Sequence, residues 1–495
     1  MGNCDETRIN MALEIVPQTA SGSALTGDRL SIIYCRNSQG AEVRGTLLRL
    51  TRHVAVFEVY NPYSILQLSE VLSEFQINVN ERTLYAGRAV ISNLVNAGIM
   101  LILEAALEED GWRDVDVFNP LRHRQGIRTE LAEFLQDSQR IFRVLPDFKV
   151  IVADIQTILS DLRRWMEQVE LCLRSLPADE FHQAEVYAIE EIETPVLPTL
   201  WPLFMRFEEV ASRVPPELIG VHRSYIKRQL HPLVLCSPFT YRTYQKPLGY
   251  AGDYEMVSMM LRDPYEGSTI FAKVLNRAFL ESPTVVAHRN RITYLHENIC
   301  TETQRQVEKG RKATFLNLGC GPAQEVQRFI TQDPLSDHAH FTLMDFNDET
   351  LEFTTRTLQN LKAAHGRATV LDMVKKSVQQ VLKEGSRAGI NGGYTVVYCA
   401  GLFDYLSDRV CRRLLEIFYS LLAPGGLLIS TNVHSGNPSR QWMESVMDWH
   451  LVYRDEAQFL ALAPEAAPPE NVTMRADPTH VNIFLEVRKP DHATA

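Results

Sequence analysis

The chain has 495 residues, 45% of them hydrophobic, which is enough for about three globular domains of typical size. Its 50 lysines and arginines against 61 aspartates and glutamates give a formal net charge of -11, with no basic tract, so nucleic acid and anionic membrane surfaces are poor partners and a small molecule fits better. The longest apolar run, Gly98 to Leu107, is too short to cross a bilayer, and the scattered cysteines form no CxxC pair, so we expect a cytoplasmic protein with reduced thiols and no metal site.

The first predicted domain, residues 1–118, is a small β-barrel. Between Asp28 and Leu107, the chain contains the short runs LSIIYC, GTLLRL, VAVFEVY and GRAVISNL, in which side chains of different polarity alternate. The residues between these runs are typical of turns: Gly40, Asn61-Pro62 and Gly87.

The last of these runs, together with the residues that follow it, reads GRAVISNLVNAGIML and partly resembles the PilZ domain, which binds cyclic di-GMP. Asn93 and Gly98 match the PilZ signature, but Val95 replaces its serine and no paired arginines precede the run. Because those arginines contact the guanine and phosphate groups, their absence predicts a degenerate PilZ-like barrel that binds no nucleotide.

The second predicted domain, residues 119–240, is helical. Between about Gly126 and Leu230 the apolar residues keep helical spacing, as Ile155, Ile158, Leu159, Leu162 and Trp165 illustrate. We expect this region either to pack against the following domain or to form a homodimer.

The third predicted domain, residues 241–495, opens with the loop KPLGYAGDYEMV. Its glycines, Gly249 and Gly252, and its tyrosines, Tyr250 and Tyr254, favour neither a helix nor a strand. We interpret the loop as a lid over a ligand site. The alternative is an ordinary turn that caps a helix beginning near Tyr254.

The most informative segment is FLNLGCGPAQEV, residues 315–326. It predicts a strand that stops at Leu318, turns through Gly319 and Gly321, and leads into a helix. Glycines at such a turn let the backbone approach a ligand at the head of the helix, as in nucleoside-binding folds. A dinucleotide site would have a third glycine at Gln324, and its absence argues against that class.

The next apolar run is FTLMDF, which carries Asp345 near its end. A carboxylate at this strand tip can accept hydrogen bonds from both ribose hydroxyls. The alternative is a solvated carboxylate without a ligand. Together with the missing third glycine, Asp345 favours one adenosine over a dinucleotide.

Further strands follow in an order that predicts an α/β fold with a parallel sheet. The run VLDMVKKSVQQVL places Ser377 and Val378 after a third strand, and Tyr394 to Ala400 form a fourth that is apolar on both faces. The turn Pro424-Gly425-Gly426 precedes a fifth strand. A final hairpin is predicted by the alternation of Val481, Ile483, Leu485 and Val487.

These segments resemble class I methyltransferases that use S-adenosylmethionine, whose first two motifs are matched by Asn317, Gly319, Gly321 and Asp345. Asn317 replaces the usual Asp or Glu, although its amide oxygen can still accept a hydrogen bond from the cofactor's ammonium group. Ala323 stands where the family often has a third glycine. The resemblance covers roughly residues 290 to 490 and implies a Rossmann-like, seven-stranded sheet with an antiparallel closing hairpin.

The resemblance also implies cofactor contacts. Ser377 and Val378 would meet the adenine edge, and Lys246 or a tyrosine hydroxyl of the lid would meet the methionine carboxylate. The full predicted set of cofactor-binding residues is Asn317, Gly319, Gly321, Asp345, Ser377, Val378, Ala400, Tyr250 and Lys246.

A narrower resemblance rests on KPLGYAGDYEMV, SVQQVL, AGLFDYLSD, LAPGG and DWHLVYRDE. These segments are similar to bacterial methyltransferases of 3-hydroxypalmitic acid methyl ester biosynthesis, which make a volatile extracellular signal. The resemblance implies a fatty-acid carboxylate as acceptor, bound by an apolar wall with a cationic end beyond the fifth strand. Residues available for this purpose are Asn432, His434, Arg440, Met443, Trp449, Tyr453 and Arg454; the alternative is a helix packed on the sheet.

The catalytic candidates are His434, Asp404 and Tyr405, because they follow predicted strands at the edge where parallel sheets bind ligands. A carboxylate acceptor needs no base, whereas a hydroxyl or amine acceptor requires His434 or Asp404 as general base. Three hypotheses remain: carboxyl methylation of a 3-hydroxy fatty acid, methylation of another small-molecule hydroxyl or amine, and a regulatory protein that senses a nucleotide without turnover.

Overall fold

The computed structural model describes residues 31–491 except 39, 61–65, 80–81, 97–99, 114–142 and 386–391. The predicted turn at Asn61-Pro62, the Gly98 of the PilZ-like signature and the predicted start of the helical region lie outside the described residues.

The N-terminal strands form a closed, six-stranded antiparallel barrel, which confirms the predicted barrel architecture. Around the barrel the strand order is β1-β2-β3-β6-β5-β4. Phe57, Phe75 and Tyr85 fill the interior, with Tyr85 packed edge-on against Trp112. The strands are β1 Ser31–Arg36, β2 Glu42–Leu50, β3 Val54–Tyr60, β4 Val71–Val79, β5 Arg82–Asn96 and β6 Met100–Leu107.

The region after the barrel is helical and shares a hydrophobic core with the C-terminal part of the chain. Phe207 lies edge-on to Trp442, with 5.7 Å between ring centroids, and Met443 and Trp449 belong to the same core. The region therefore packs against the following domain, one of the two predicted arrangements. Its helices are α1 Pro146–Leu173, α2 Ala178–Ala211, α3 Ile219–Val234 and α4 Pro238–Gln245.

The C-terminal sheet has seven strands, of which five are parallel and the last two form an antiparallel hairpin. The order across the sheet is β12-β13-β11-β10-β7-β8-β9. From β7 the chain adds β8 and β9 on one side of the sheet, and from β10 it adds the remaining strands on the other side. A crevice therefore opens between β7 and β10 at their carboxyl ends. The strands are β7 Ala313–Leu318, β8 Ala339–Asp345, β9 Val370–Lys375, β10 Tyr394–Cys399, β11 Leu422–Val433, β12 Val472–Ala476 and β13 Asn482–Arg488.

Helices cover both faces of this sheet. Leu295 and Phe329 belong to the core on one face, and Leu414 and Phe418 to the core on the other. Among the helices that the structure describes, none is long and apolar enough to cross a membrane. The helices of this part are α5 Tyr254–Met259, α6 Ile270–Leu280, α7 Pro283–Glu308, α8 Gln324–Gln332, α9 Asp348–His365, α10 Val378–Glu384, α11 Asp408–Leu421, α12 Arg440–Val446 and α13 Glu456–Leu460.

Two predicted details of the sheet differ from the structure. The turn Pro424-Gly425-Gly426 lies inside β11 rather than before it, because the pairing register with β10 shifts there and the extra residues form a bulge. In β13 the predicted residues Ile483, Leu485 and Val487 share one buried face. Phe484 on the other face is also buried, against the ring of Tyr294. A strand with neighbours on both sides and helices on both faces leaves no solvated face.

Candidate functional site

A cavity of about 420 Å³ lies at the carboxyl ends of the parallel strands. Its walls come from the strand ends, from α7, from the loop that follows α4, and from the barrel. Two predicted site residues, His434 and Lys246, do not line it. The predicted residues that do are Asn317, Gly319, Gly321, Asp345, Ser377, Val378, Ala400, Tyr250, Asp404 and Tyr405.

The glycine turn after β7 is held in a conformation that few other residues adopt. Gly319 has φ +73° and Gly321 has φ +50°. The amides of Gly319 and Cys320 donate to the Met344 carbonyl at 2.8 and 2.9 Å, which fastens the turn to β8. A Cβ atom at Gly321 would meet no protein atom within 4 Å, so this backbone faces open cavity.

Ala323 occupies the position of the absent third glycine, and its backbone is also left-handed, with φ +50°. The residue is buried and precedes the first turn of α8. A left-handed conformation costs a residue with a Cβ atom about 1 kcal/mol. The turn therefore keeps the backbone shape that a glycine-rich motif would have, at the expense of local strain.

Asp345 at the tip of β8 is bonded to the glycine turn. Its Oδ2 accepts from the Gly321 amide at 3.1 Å, and its Oδ1 accepts from the Asn347 amide at 3.0 Å. Burial raises the pKa of the Asp345 carboxyl, while these amides oppose that shift. The side chain is only 6% exposed, so Asp345 is not a solvated strand-end carboxylate.

Asn317 offers the cavity a hydrogen-bond acceptor. Its Nδ2 donates to Glu325 at 3.3 Å, and Tyr398 donates to the same Glu325 oxygen at 2.8 Å. The Asn317 Oδ1 is buried, and the structure gives it no hydrogen-bond partner in the described part of the chain. A buried orphan acceptor costs roughly 1–3 kcal/mol, so the atom suits a ligand donor such as an ammonium group.

Glu325 is a site residue that the sequence analysis missed. It lies in the first turn of α8, fully buried, and burial raises the pKa of its carboxyl while the Tyr398 hydroxyl opposes the shift. An acid in the first turn of a helix usually lies at the surface and complements the helix dipole, so the sequence carried no hint that Glu325 turns inward.

Arg291 and His288 on α7 were also missed. Both line the cavity, and an Arg291 Nη lies 2.7 Å from His288 Nδ1. Because a guanidinium has no acceptor, Nδ1 must accept and the ring proton must sit on Nε2. That Nε2 is buried without a hydrogen-bond partner among the described residues. Burial and the nearby cation lower the pKa of His288 well below its usual range, so the ring stays neutral.

Arg291 itself is partly buried and forms no salt bridge within 4 Å to any carboxylate that the structure describes. It passes over Gly401, where a Cβ atom would lie 3.0 Å from the guanidinium nitrogens. With His288 it presents N–H donors and a positive charge, which is the chemistry that recognises a carboxylate. The spacing of three residues on one helix was the available signal, since it places both side chains on one face.

The predicted lid contributes Tyr250 to the cavity. The Tyr250 ring lies against Phe346, with 5.1 Å between centroids, and its hydroxyl is 3.4 Å from Thr350 Oγ1. The structure also fits the alternative interpretation of this loop as a helix cap, because the Asp253 side chain accepts from the Met256 amide and caps α5. The loop therefore both covers the cavity and starts a helix.

Lys246 points away from the cavity. The residue ends α4 in a left-handed conformation, and its buried ammonium donates to the Met447 carbonyl at 2.8 Å. Burial lowers the Lys246 pKa to about 7, with Asp448 opposing the shift. The structure thus brings Arg291, and not Lys246, to the cavity.

Asp404 and Tyr405 lie at the end of β10, on the opposite side of the cavity from Asp345. Asp404 Oδ1 accepts from the Val433 amide at 2.6 Å, and burial raises the Asp404 pKa. The Tyr405 hydroxyl accepts from the Trp449 indole at 2.9 Å. Trp449 also lines the cavity, which gives this side an aromatic wall.

The other polar residues predicted beyond β11 serve the fold. His434 Nε2 lies 3.2 Å from Glu456, and its Nδ1 accepts from Gly436. Arg454 is buried and donates to Asp408, to Asn432 and to two carbonyls. Arg440 lies over the ring of Tyr453. Of the residues proposed for the acceptor, only Met443 and Trp449 line the cavity.

No protein-family model matches the sequence, and no curated protein does. Among solved structures, a "possible exported protein" from Bordetella parapertussis is 19% identical over 51% of this chain and 86% of its own, with a TM-score of 0.38. Magnesium protoporphyrin IX methyltransferase from Synechocystis PCC 6803, with bound SAH, is 11% identical over 41% and 84%, with a TM-score of 0.29. The N-methyltransferase NodS from Bradyrhizobium japonicum WM9, in complex with S-adenosyl-L-homocysteine, is 14% identical over 50% and 99%, with a TM-score of 0.30.

Proposed function

We propose that this protein is an S-adenosylmethionine-dependent methyltransferase that methylates the carboxylate of an apolar acid, a 3-hydroxy fatty acid, to give its methyl ester. The observation that carries the proposal is the set of complementary groups in one cavity. Asp345 suits ribose hydroxyls, the orphan Oδ1 of Asn317 suits an ammonium group, and Arg291 with His288 suits a carboxylate.

The residues present fit this cofactor. The open backbone at Gly321 leaves room beside Asp345, and Ser377 and Val378 line the far end of the same cavity. Glu325 lies 3.3 Å from Asn317 and adds a negative charge near the ammonium position when its carboxyl is ionised. We assign Arg291 to the methionine carboxylate, the role that the sequence suggested for Lys246.

When bound, the cofactor supplies an electrophilic methyl group on a sulfonium. An acceptor carboxylate, ionised near neutral pH, would take this methyl group without losing a proton, so the chain would need no general base. The chain's residues then have to hold the acceptor in line and exclude water. Trp449, Tyr405 and Met443 provide an apolar and aromatic wall for that purpose.

Methylation of a hydroxyl is the second candidate, favoured by Asp404. Its carboxyl lines the cavity, and burial raises its pKa toward the range that suits a general base. The two candidates differ in pH dependence: an ionised carboxylate acceptor gives a turnover rate that is flat near neutral pH, whereas a base gives a rate that falls as Asp404 is protonated.

Two measurements test the proposal. Calorimetry should show binding of S-adenosylhomocysteine, and Asp345→Ala should abolish it; no binding by the unchanged protein would refute the cofactor assignment. Incubation with methyl-labelled S-adenosylmethionine and 3-hydroxydecanoate or 3-hydroxypalmitate should give labelled methyl ester. Binding of the cofactor without any labelled ester would refute the acceptor alone.

A further inference from the structure

The N-terminal barrel contributes part of the cavity wall. Leu66, Gln67 and Leu68, in the turn before β4, and Leu94 in β5 all line it. Three of the four side chains are apolar, and none is charged. The cavity at the sheet edge is therefore completed by residues more than two hundred positions earlier in the chain.

The barrel turn is rigidly attached to the segment that carries Trp449. Ser69 is fully buried and left-handed, with φ +60°. Its hydroxyl donates to the His450 carbonyl at 2.8 Å and also accepts from the His450 amide. A left-handed serine is kept only where surrounding contacts determine it, and here the contact is with the backbone of His450, whose two neighbours, Trp449 and Leu451, line the cavity.

The turn is also held from within the barrel. The buried Glu70 carboxylate accepts from the Ser38 amide at 2.9 Å, from its hydroxyl at 2.6 Å, and from the Gln67 amide at 2.8 Å. These charge-assisted bonds fix the direction of Gln67 and its neighbours. The barrel thus meets the cavity as a preformed surface.

Two contacts join this surface to opposite sides of the cavity, so the chemistry of its side chains decides which part of a ligand it suits. Through His450 the turn supports Trp449, whose indole donates to Tyr405 on the side opposite Asp345. The Val71 amide also donates to the Gly249 carbonyl at 2.7 Å, and the adjacent Tyr250 packs on Phe346, beside Asp345. The leucines themselves offer only apolar contact, which neither a ribose nor a methionine zwitterion requires.

We infer that the barrel is a fixed wall of the acceptor site, in which Leu66, Leu68 and Leu94 select the apolar part of the acceptor. The inference rests on the proposed function and deepens it. On this view Ser69 is a positioning residue that holds the Trp449 segment against the wall. The barrel then acts in substrate choice, independently of any nucleotide.

Leu94 and Val95 provide a matched pair of variants, because they are neighbours on β5 and only Leu94 lines the cavity, whereas Val95 is 52% exposed. Leu94→Trp should raise the KM for 3-hydroxypalmitate about tenfold or more, and Val95→Trp should leave it unchanged. The dissociation constant of S-adenosylhomocysteine should stay within about twofold in both. If Leu94→Trp does not fold, Leu94→Ala should shift the preference toward longer acyl chains.

An equal effect of Leu94→Trp and Val95→Trp, or a parallel loss of S-adenosylhomocysteine affinity in Leu94→Trp, would overturn the inference. If the unchanged protein methylates none of the 3-hydroxy acids, the proposed acceptor is wrong. The wall is then tested by a binding measurement instead of turnover, with 8-anilinonaphthalene-1-sulfonate added to the protein saturated with S-adenosylhomocysteine. Weaker binding of this apolar anion in Leu94→Trp than in Val95→Trp supports the wall, and equal binding refutes it.

Discussion

His288 and Arg291, one turn apart on α7, share a hydrogen bond of 2.7 Å, and both residues line the cavity. The neutral ring accepts from the guanidinium, so its own Nε2 proton and the remaining guanidinium N–H groups stay available. Such a pair is costly to bury without an anion. Because the pair lines the same cavity as Gly319 and Gly321, it supports the proposed binding of a carboxylate there.

The first prediction separates the two ends of the cofactor. Arg291→Gln should weaken S-adenosylhomocysteine binding by about ten- to a hundredfold, since a hydrogen bond to a charged group contributes about 1.5–3 kcal/mol. Binding of 5′-methylthioadenosine, which lacks the amino-acid part, should be unchanged. Titration calorimetry measures both ligands. Arg289→Gln on the same helix is the control, because Arg289 bonds to the Leu280 carbonyl and Glu281 and does not line the cavity. Equal losses of affinity for both ligands would contradict the assignment of Arg291 to the methionine carboxylate.

The second prediction concerns the open backbone at Gly321. Gly321→Ala adds a methyl group where no protein atom lies within 4 Å, so it should abolish measurable cofactor binding while costing about 1 kcal/mol of folding free energy. Gly366→Ala is a matched control, with a similar φ of +62° and equally open surroundings outside the cavity. Thermal unfolding and calorimetry on both variants are the measurements. Retained affinity in Gly321→Ala would show that no ligand approaches this turn.

The third prediction follows from the burial of Lys246. Since its pKa falls to about 7 in the folded protein from 10.5, the unfolded chain binds more protons between these values, and stability rises with pH there. Between about pH 7 and 8.5 Lys246 contributes up to about 1.4 kcal/mol per pH unit, and comparing the variant with the unchanged protein cancels the contribution of cysteine thiols, which begin to titrate in the same range. Lys246→Met should reduce this slope in urea unfolding curves, and the exposed Lys309→Met should not. An unchanged slope would mean that the ammonium is not buried as described.

The fourth prediction distinguishes the residues beyond β10 and β11. His434→Gln should keep turnover within about twofold, because the ring faces Glu456 and does not line the cavity. Tyr405→Phe should raise the acceptor KM about tenfold, because it leaves the Trp449 indole without its acceptor in the cavity wall. Steady-state kinetics with 3-hydroxypalmitate measures both. A large loss in His434→Gln would restore the general-base hypothesis.

Much of the fold was predictable because short sequence patterns indicate it. The glycine turn at Gly319, the acid at the tip of β8 and the apolar run of β10 each combine a turn signal with strand periodicity, and the structure brings all three to one edge. The barrel strands alternate in a similar way, although Gly87, which was predicted as a turn, lies inside β5.

The remainder depended on tertiary packing. Arg291 reaches the cavity only because α7 crosses the sheet beside Gly401, and nothing in the helix sequence tells which face meets the strands. Lys246 was predicted in the site because it precedes the glycine loop, but a left-handed helix end turns its side chain toward Met447. Leu94 lines the cavity because the barrel lies against the C-terminal part of the chain, and no local pattern encodes a contact between such distant segments.

The passage of the Arg291 side chain over Gly401 links two positions that are far apart in sequence. Any side chain at 401 would occupy the space of the guanidinium, and the left-handed backbone there, with φ +83°, disfavours one as well. Homologous chains that keep arginine at 291 should therefore keep glycine at 401.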